Sequence, residues 1–458
     1  MVERGNYIVP YFNNQLRLDK PPLTYWAQVS SYHIFGENDF AARFPSAIAA
    51  SLTALAIFGW GRRIGGEKVG WWAAIIFTLS LQTFVHAKAA VADMWLVLFV
   101  TLAHWAGYEL LVDSNRAARP AVAPYHQTRW WLILYLSLAL GFLAKGPIAW
   151  APLLTVAAVI IYTRDWQVFG CFKFIRGILV TLFVVALWGI PALVQTHGEF
   201  LSVGIGRHVI GRSLATMEGH GASSLGTYLL FLPFYFVTVF ISFFPWSIKL
   251  PWLVRKLWLN RSARIDAPAY SRNLIDTYLI MGIGTIFMIF TFVSTKLPHY
   301  TLPAFPLLAL LLARHWQPAT AQDNRSLFAR IATIAASLLV AIALLVPPMV
   351  ARFFPAYQLF QMSRGSLSSA TQFAAVEFQE PSLVWYFRSR VNGFLRPLNK
   401  RRVTDFMSLA GPRFLVLPTS AAATTFPNSP QDLKFFTTSG FNIAKGKRVD
   451  LTLVLKPE

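Results

Sequence analysis

Residues 177–194 read GILVTLFVVALWGIPALV, eighteen residues in a row without a charge. As a helix this stretch is about 27 Å long, close to the roughly 30 Å hydrocarbon core of a bilayer. Runs of 15 to 23 such residues recur along most of the chain, and predict helices near 45–61, 69–86, 90–112, 130–144, 147–163, 175–195, 225–248, 273–293, 300–313 and 331–350. Composition agrees. Of 458 residues, 55% are hydrophobic and 13% charged, with mean hydropathy +0.48, whereas a water-soluble domain carries about 25% charged residues. The expected fold is an all-α polytopic membrane bundle with about ten transmembrane helices.

The formal net charge of +21 would suggest nucleic acid in a soluble protein. Here the positions of the cations matter more than their number. Alternate gaps between the apolar runs hold 18 basic residues, among them Arg62, Arg63, Lys68, Lys249, Arg255, Lys256 and Arg314. The opposite gaps hold nine: Arg4, Arg17, Lys20, Arg43, Lys88, Lys145, Arg207, Arg212 and Lys296. The positive-inside rule puts the first set in the cytoplasm. Residues 1–44 then form an extracytoplasmic loop, 45–350 the membrane domain, and 351–458 an extracytoplasmic C-terminal domain. No nucleic-acid partner is expected. Tryptophans paired near run ends, such as Trp71 and Trp72 or Trp130 and Trp131, fit an interfacial belt.

Beyond about residue 351 the apolar runs shorten. Phe373–Phe378, Arg413–Leu417 and Asp450–Leu455 read as strands and Ser382–Arg390 as a short helix, which makes a small α/β domain without a chemically legible motif. The single cysteine, Cys171, excludes an intramolecular disulfide and a cysteine metal site. Residues 1–20 are too polar and mixed for a cleavable signal peptide.

The charged residues at the extracytoplasmic corners are the candidates for chemistry. Asp19 and Lys20 precede Pro21-Pro22, which hold the chain extended, and a segment, 23–35, too short to span. Lys145 stands in Ala144-Lys145-Gly146-Pro147, where Gly and Pro break the helix. Asp93 opens an otherwise apolar helix; loop 196–224 carries His208 and Arg212; Lys296 and Tyr300 mark a further corner. Taken singly, each has a bland account: snorkelling lysines, a dipole-favoured acid at a helix start, solvated loops. Together they suit an outward-facing cavity for an anionic lipid headgroup.

Those residues fall into motifs. Leu18-Asp19-Lys20-Pro21-Pro22-Leu23-Thr24-Tyr25-Trp26 and Ala41-Ala42-Arg43-Phe44-Pro45-Ser46 resemble the first outer loop of the bacterial glycosyltransferase family 39 enzymes. These are relatives of the protein O-mannosyltransferases and of the lipid A aminoarabinose transferase. Ala92-Asp93, Ala144-Lys145-Gly146-Pro147, Phe244-Pro245-Trp246 and Lys296-Leu297-Pro298-His299-Tyr300 follow in the family's order. The resemblance covers residues 1 to about 350. It implies a GT-C type fold in a bacterial inner membrane, with a polyprenyl-phosphate-linked sugar as donor and a lipid A-like lipid, protein or glycan as acceptor, and no nucleotide cofactor. Lys20 becomes the leading phosphate ligand and a catalytic residue, with Arg212, Lys296, Tyr300 and Lys145 as further phosphate-binding candidates. Asp93 looks like the second acidic residue of the family's cavity, a catalytic position. Asp19 and His208 correspond approximately to metal-site positions in the aminoarabinose branch, which makes a divalent ion a candidate cofactor.

One departure from the family remains. Its members open with a cytoplasmic end, a membrane helix and an acidic motif bearing the catalytic base, and this chain starts after that motif. The expectation is an upstream helix and aspartate, and an inactive chain without them. Two other readings stay open: a transporter or flippase for a lipid-linked or anionic solute, which an inverted repeat would favour, and a non-catalytic homologue.

Overall fold

In a computed structural model, residues 1–116, 124–211, 225–259, 270–316, 322–351, 353–427, 430–442 and 446–457 are described. They form two compact units, Met1–Pro10 with Leu16–Leu339, and Tyr11–Gln15 with Val340–Glu458.

In the first unit, helix α1 (Leu23–Phe35) leads through Gly36 into α2 (Asp39–Gly65). Asn38 starts α2 by accepting a hydrogen bond from the Ala41 amide at 2.9 Å, satisfying a first-turn donor. Asp39 sits in its first turn and Arg62 and Arg63 in its last, as the helix dipole favours. Then come α3 (Glu67–Thr78), α4 (Leu81–Ala87), α5 (Asp93–Arg116), α6 (Pro124–Lys145) and α7 (Ala151–Thr163). Further helices cover Phe174–Gln195, Leu225–Leu230, Phe234–Ser242, Leu250–Leu259, Tyr270–Phe292, Phe305–Trp316 and Gln322–Ala351, and a π-helix covers Phe200–Gly211.

All the predicted apolar segments are helical, whole or in pieces. Among the described residues, five helices are long and apolar enough to cross a membrane, or six if the bent pair α3–α4 counts as one span. Part of the difference from about ten has a local cause. The 69–86 run bends by 68° between α3 and α4. Pro233 and Pro245 accompany the breaks in the 225–248 run, and 300–313 begins as a 3-10 turn, Pro298–Ala304, before continuing as Phe305–Trp316. Proline lacks the donor and crowds the preceding turn, which favours a break at Pro233, Pro245 and Pro298, while Pro45 and Pro191 are carried inside their helices.

Several charged groups inside the bundle are paired. Arg63 grips Glu109 with two hydrogen bonds, of 2.7 and 2.9 Å, and Arg314 and His315 hold Asp276 at 3.0 and 3.1 Å. Midway along α5, the fully buried Tyr278 hydroxyl donates to the His104 carbonyl at 2.9 Å.

Helices α2 and α3 meet through glycine. A Cβ on Gly70 would stand 2.5 Å from the Phe58 carbonyl oxygen, and one on Gly61 2.7 Å from Gly70 Cα. Backbone cannot yield as a side-chain tip can, and small residues are what bring membrane helices this close. Gly70→Val is expected to cost about 3 kcal/mol or more by forcing the helices apart. Thermal unfolding in detergent should show a clear loss, whereas an unchanged melting temperature would mean that the contact does not hold the bundle.

The second unit carries a five-stranded sheet. In chain order its strands are β1 (Gln372–Ala375), β2 (Arg396–Pro397), β3 (Arg413–Pro418), β4 (Lys434–Asn442) and β5 (Lys447–Lys456). They lie in the order β2-β1-β3-β5-β4, with β1 parallel to β2 and β3, and β5 antiparallel to β3 and β4. Both faces are buried: Phe373, Phe414 and Leu453 pack on one, Ala374, Leu415 and Val454 on the other. β1 ends at Ala375, short of the predicted 378, and Glu377 has φ +60°, a conformation no strand continues through. The predicted helix is present as Pro381–Phe387. Edge strand β4 is an addition to the sequence reading. The Tyr11–Gln15 segment belongs to this unit through Asn13, which donates to the Leu395 carbonyl and accepts from the Leu395 amide, both at 2.8 Å.

Candidate active site

The proline pair that ends at Pro22 delivers Asp19 and Lys20 to the start of α1, and α5 begins with Asp93. Helix α6 stops at Lys145 because Gly146 takes φ +86°, open to glycine at little cost, before the chain resumes as a 3-10 turn from Pro147. A third corner, at Pro298, turns His299 and Tyr300 inward. These corners surround one cavity of about 600 Å³, lined by Asp19, Lys20, Asp93, Lys145, His299 and Tyr300. Its other walls are apolar, with Leu96, Val97, Phe142, Trp150, Leu154 and Phe290 among them. The polar groups therefore gather on one part of a pocket that is otherwise suited to hydrocarbon.

The central contact is an ion pair. Lys145 Nζ donates to Asp93 Oδ1 at 2.5 Å, with side-chain exposures of 18% and 9%. A charge-assisted bond this sheltered is strong, and neither partner is tolerable there alone. The Lys145 ammonium also lies 5.5 Å from the centre of the Tyr300 ring, within cation–π range. His299 Nε2 stands 3.9 Å from Asp93 Oδ1. Burial pushes the His299 imidazole down to about 4, against the pull of Asp93, so this histidine is neutral at pH 7.

Lys20 is different. Among the described residues it has no hydrogen bond or ion pair. Burial first, and the Lys145 ammonium second, push its pKa below the ordinary lysine value. The site holds this cation at a cost, and an anion in the cavity would relieve it. Asp19 is occupied: it accepts from Arg17 Nε at 3.0 Å and from the Tyr25 hydroxyl at 3.4 Å. Burial works against the Asp19 carboxylate, but Arg17 and Lys20 hold it below the usual range.

The structure thus brings Asp19, Lys20, Asp93, Lys145 and Tyr300 together, and leaves Lys296 out. Lys296 is buried elsewhere, donating to the Phe290 and Thr291 carbonyls at 3.0 and 2.5 Å. Arg212 and the side chain of His208 lie outside the described residues. Sequence reasoning did not single out His299 or His86. His299 stood inside a quoted motif, one residue before Tyr300, and its spacing from Asp93 carries no local signal. His86 lies at the end of α4, with its ring centre 5.0 Å from that of His299.

Known proteins resemble this arrangement. A family model described as dolichyl-phosphate-mannose-protein mannosyltransferase matches residues 19–190. The undecaprenyl phosphate-alpha-4-amino-4-deoxy-L-arabinose arabinosyl transferase of Edwardsiella ictaluri is 27% identical over 332 residues, covering 71% of this chain and 55% of the relative. The enzyme of the same name from an Enterobacter species is 27% identical, covering 69% and 52%. The chain thus spans about half the length of the curated relatives it matches. In fold it is similar to ArnT from Cupriavidus metallidurans, in the crystal structure bound to undecaprenyl phosphate, with TM-score 0.72 and 17% identity over 100% of this chain and 91% of that one. In motif order and sequence the chain is similar to the family 39 kind of glycosyltransferases, and in fold to a GT-C enzyme.

Proposed function

We propose that the protein is a membrane glycosyltransferase that takes a sugar from a polyprenyl-phosphate donor and passes it to a lipid acceptor of the lipid A kind, on the extracytoplasmic side of a bacterial inner membrane. A 4-amino-4-deoxy-arabinose on undecaprenyl phosphate is the leading donor, after the named relatives. The observation that carries this reading is the division of the cavity. Cations at its polar part meet an apolar body, the shape and chemistry of a phosphate on a hydrocarbon chain.

In the proposed reaction the acceptor oxygen attacks the anomeric carbon, and the bond from that carbon to the phosphate oxygen breaks. The lipid phosphate leaves as an anion. It needs positive charge already in place more than it needs a proton, and Lys20 supplies that charge. Tyr300 donates a hydrogen bond to the same phosphate. Asp93 faces the acceptor and takes the proton when the acceptor is a hydroxyl. Asp19 orients the loop through Arg17.

The transporter reading has less support. The mid-bundle polar pair, His104 and Tyr278, bonds to itself in a fully buried setting, whereas a transport site lies near mid-membrane and opens to solute. The test uses membranes from cells expressing the gene at its own locus. Radiolabelled undecaprenyl-phosphate aminoarabinose is expected to pass its label to lipid A, and undecaprenyl phosphate to copurify with the protein. Label transfer equal to that of a deletion strain, with folded protein present, would reject the enzyme and leave the non-catalytic homologue.

A further inference from the structure

The rim of the cavity holds a second set of donor atoms. His86 on α4, Asp93 at the start of α5 and His299 at the Pro298 corner come from three separate elements, and one ligand atom from each lies within 4.8 Å of the other two. Such a convergence could be plain packing of two histidines against a carboxylate. In that case a histidine should donate to Asp93, yet His299 Nε2 is 3.9 Å away, beyond hydrogen-bond range. The carboxylate takes its hydrogen bond from Lys145 instead.

The His86 ring is also turned suitably. His86 Nδ1 lies 3.1 Å from the Gln82 carbonyl oxygen and 3.0 Å from its side-chain amide. In the tautomer whose Nδ1 donates to the Gln82 carbonyl, Nε2 is left for a ligand. A backbone or side-chain partner on the far nitrogen is the usual support of a metal-bound histidine. Two imidazoles with one carboxylate are a zinc donor set that keeps a fourth position open, and imidazole favours transition metals over magnesium or calcium.

We infer that His86, Asp93 and His299 form a binding site for a divalent transition-metal ion, zinc first, with its open position toward the cavity. Tetrahedral zinc places ligand atoms about 3.4 Å apart, so the three side chains close in slightly as the ion enters. Lys145 and the ion compete for Asp93 Oδ1, and Oδ2 is left to take the acceptor proton. Loading the site frees the Lys145 ammonium toward Lys20 and the cavity, and a substrate oxygen can complete the coordination. Asp19 takes no part, since Arg17 and Tyr25 already occupy it.

The test is metal binding by the full gene product, purified in detergent, stripped with chelator and titrated with zinc. One equivalent per chain is expected by elemental analysis, and cobalt substitution should give the visible absorption of a tetrahedral site. His86→Gln and His299→Gln should each weaken zinc binding by about tenfold or more. Lys145→Met should strengthen it, an effect that simple packing does not produce. Asp19→Asn should leave it unchanged. Zinc affinity equal to wild type in both histidine variants, or lost only in Asp19→Asn, would overturn the site, as would folded wild-type protein that binds neither metal. Undecaprenyl phosphate binding by the stripped protein is measured in parallel. Its failure counts against the transferase reading and leaves the metal site standing.

Discussion

Lys20→Ala, introduced at the gene's own locus, is expected to cut sugar transfer by about 10²–10³-fold while leaving the protein at least as stable as before. The two halves of that expectation share one cause. Lys20 lines the cavity without a partner among the described residues, and burial and the Lys145 ammonium both work against its charge. Removing it takes away the cation that meets the departing phosphate, and also takes away a strained charge, the usual exchange of stability for function at a site. Retention of undecaprenyl phosphate should fall in step with transfer. Stability against pH gives an independent check. With its folded pKa below the ordinary 10.5, Lys20 binds its proton less readily in the folded state than in the unfolded one. Stability should therefore rise with pH between the lowered value and 10.5, and Lys20→Met should flatten that rise. A variant that transfers sugar normally would remove Lys20 from the chemistry.

Asp93 should behave in the opposite way, with stability and activity lost together. Asp93→Ala strands the Lys145 ammonium, only 18% exposed, without its carboxylate. Breaking a buried pair from one side costs about 3–5 kcal/mol, enough to remove much of a marginal stability. Asp93→Asn keeps the shape and should cost less. The informative protein is the double variant Asp93→Asn with Lys145→Met. Replacing both partners removes the unpaired charge, so folding should recover most of the loss, while sugar transfer stays absent. Recovery of transfer in the double variant would show that Asp93 only neutralises the Lys145 charge and is not the base. Failure of Asp93→Ala to destabilise would mean that water reaches the pair.

The membrane class and most helices were legible because hydropathy acts locally: an apolar run announces itself wherever it packs. The stop after Lys145 was legible for the same reason, since Gly146 and Pro147 break the helix by their own geometry. The pairing of Asp93 with Lys145 was not, because 52 residues separate them and only tertiary packing brings them together. Lys296 shows the converse. Its neighbours fit the family motif, yet the carbonyls of Phe290 and Thr291, at the end of the preceding helix, claim its ammonium. Strand β4 escaped notice because an edge strand needs only one good neighbour. Its residues are mostly half-buried or exposed, which blurs the alternation that marks interior strands.

The buried bond from Tyr278 to His104 has a mechanical consequence. It rivets α5 to the Tyr270–Phe292 helix, and those two helices carry Leu96, Val97, Ile289 and Phe290 of the cavity lining. Two sides of the vault are therefore locked at a constant spacing. On another side stand Phe200 and Gly204, in a π-helix, whose wider turn is the weaker form of the helical backbone. A bulky lipid that enters sideways would meet its least resistance at that soft jamb.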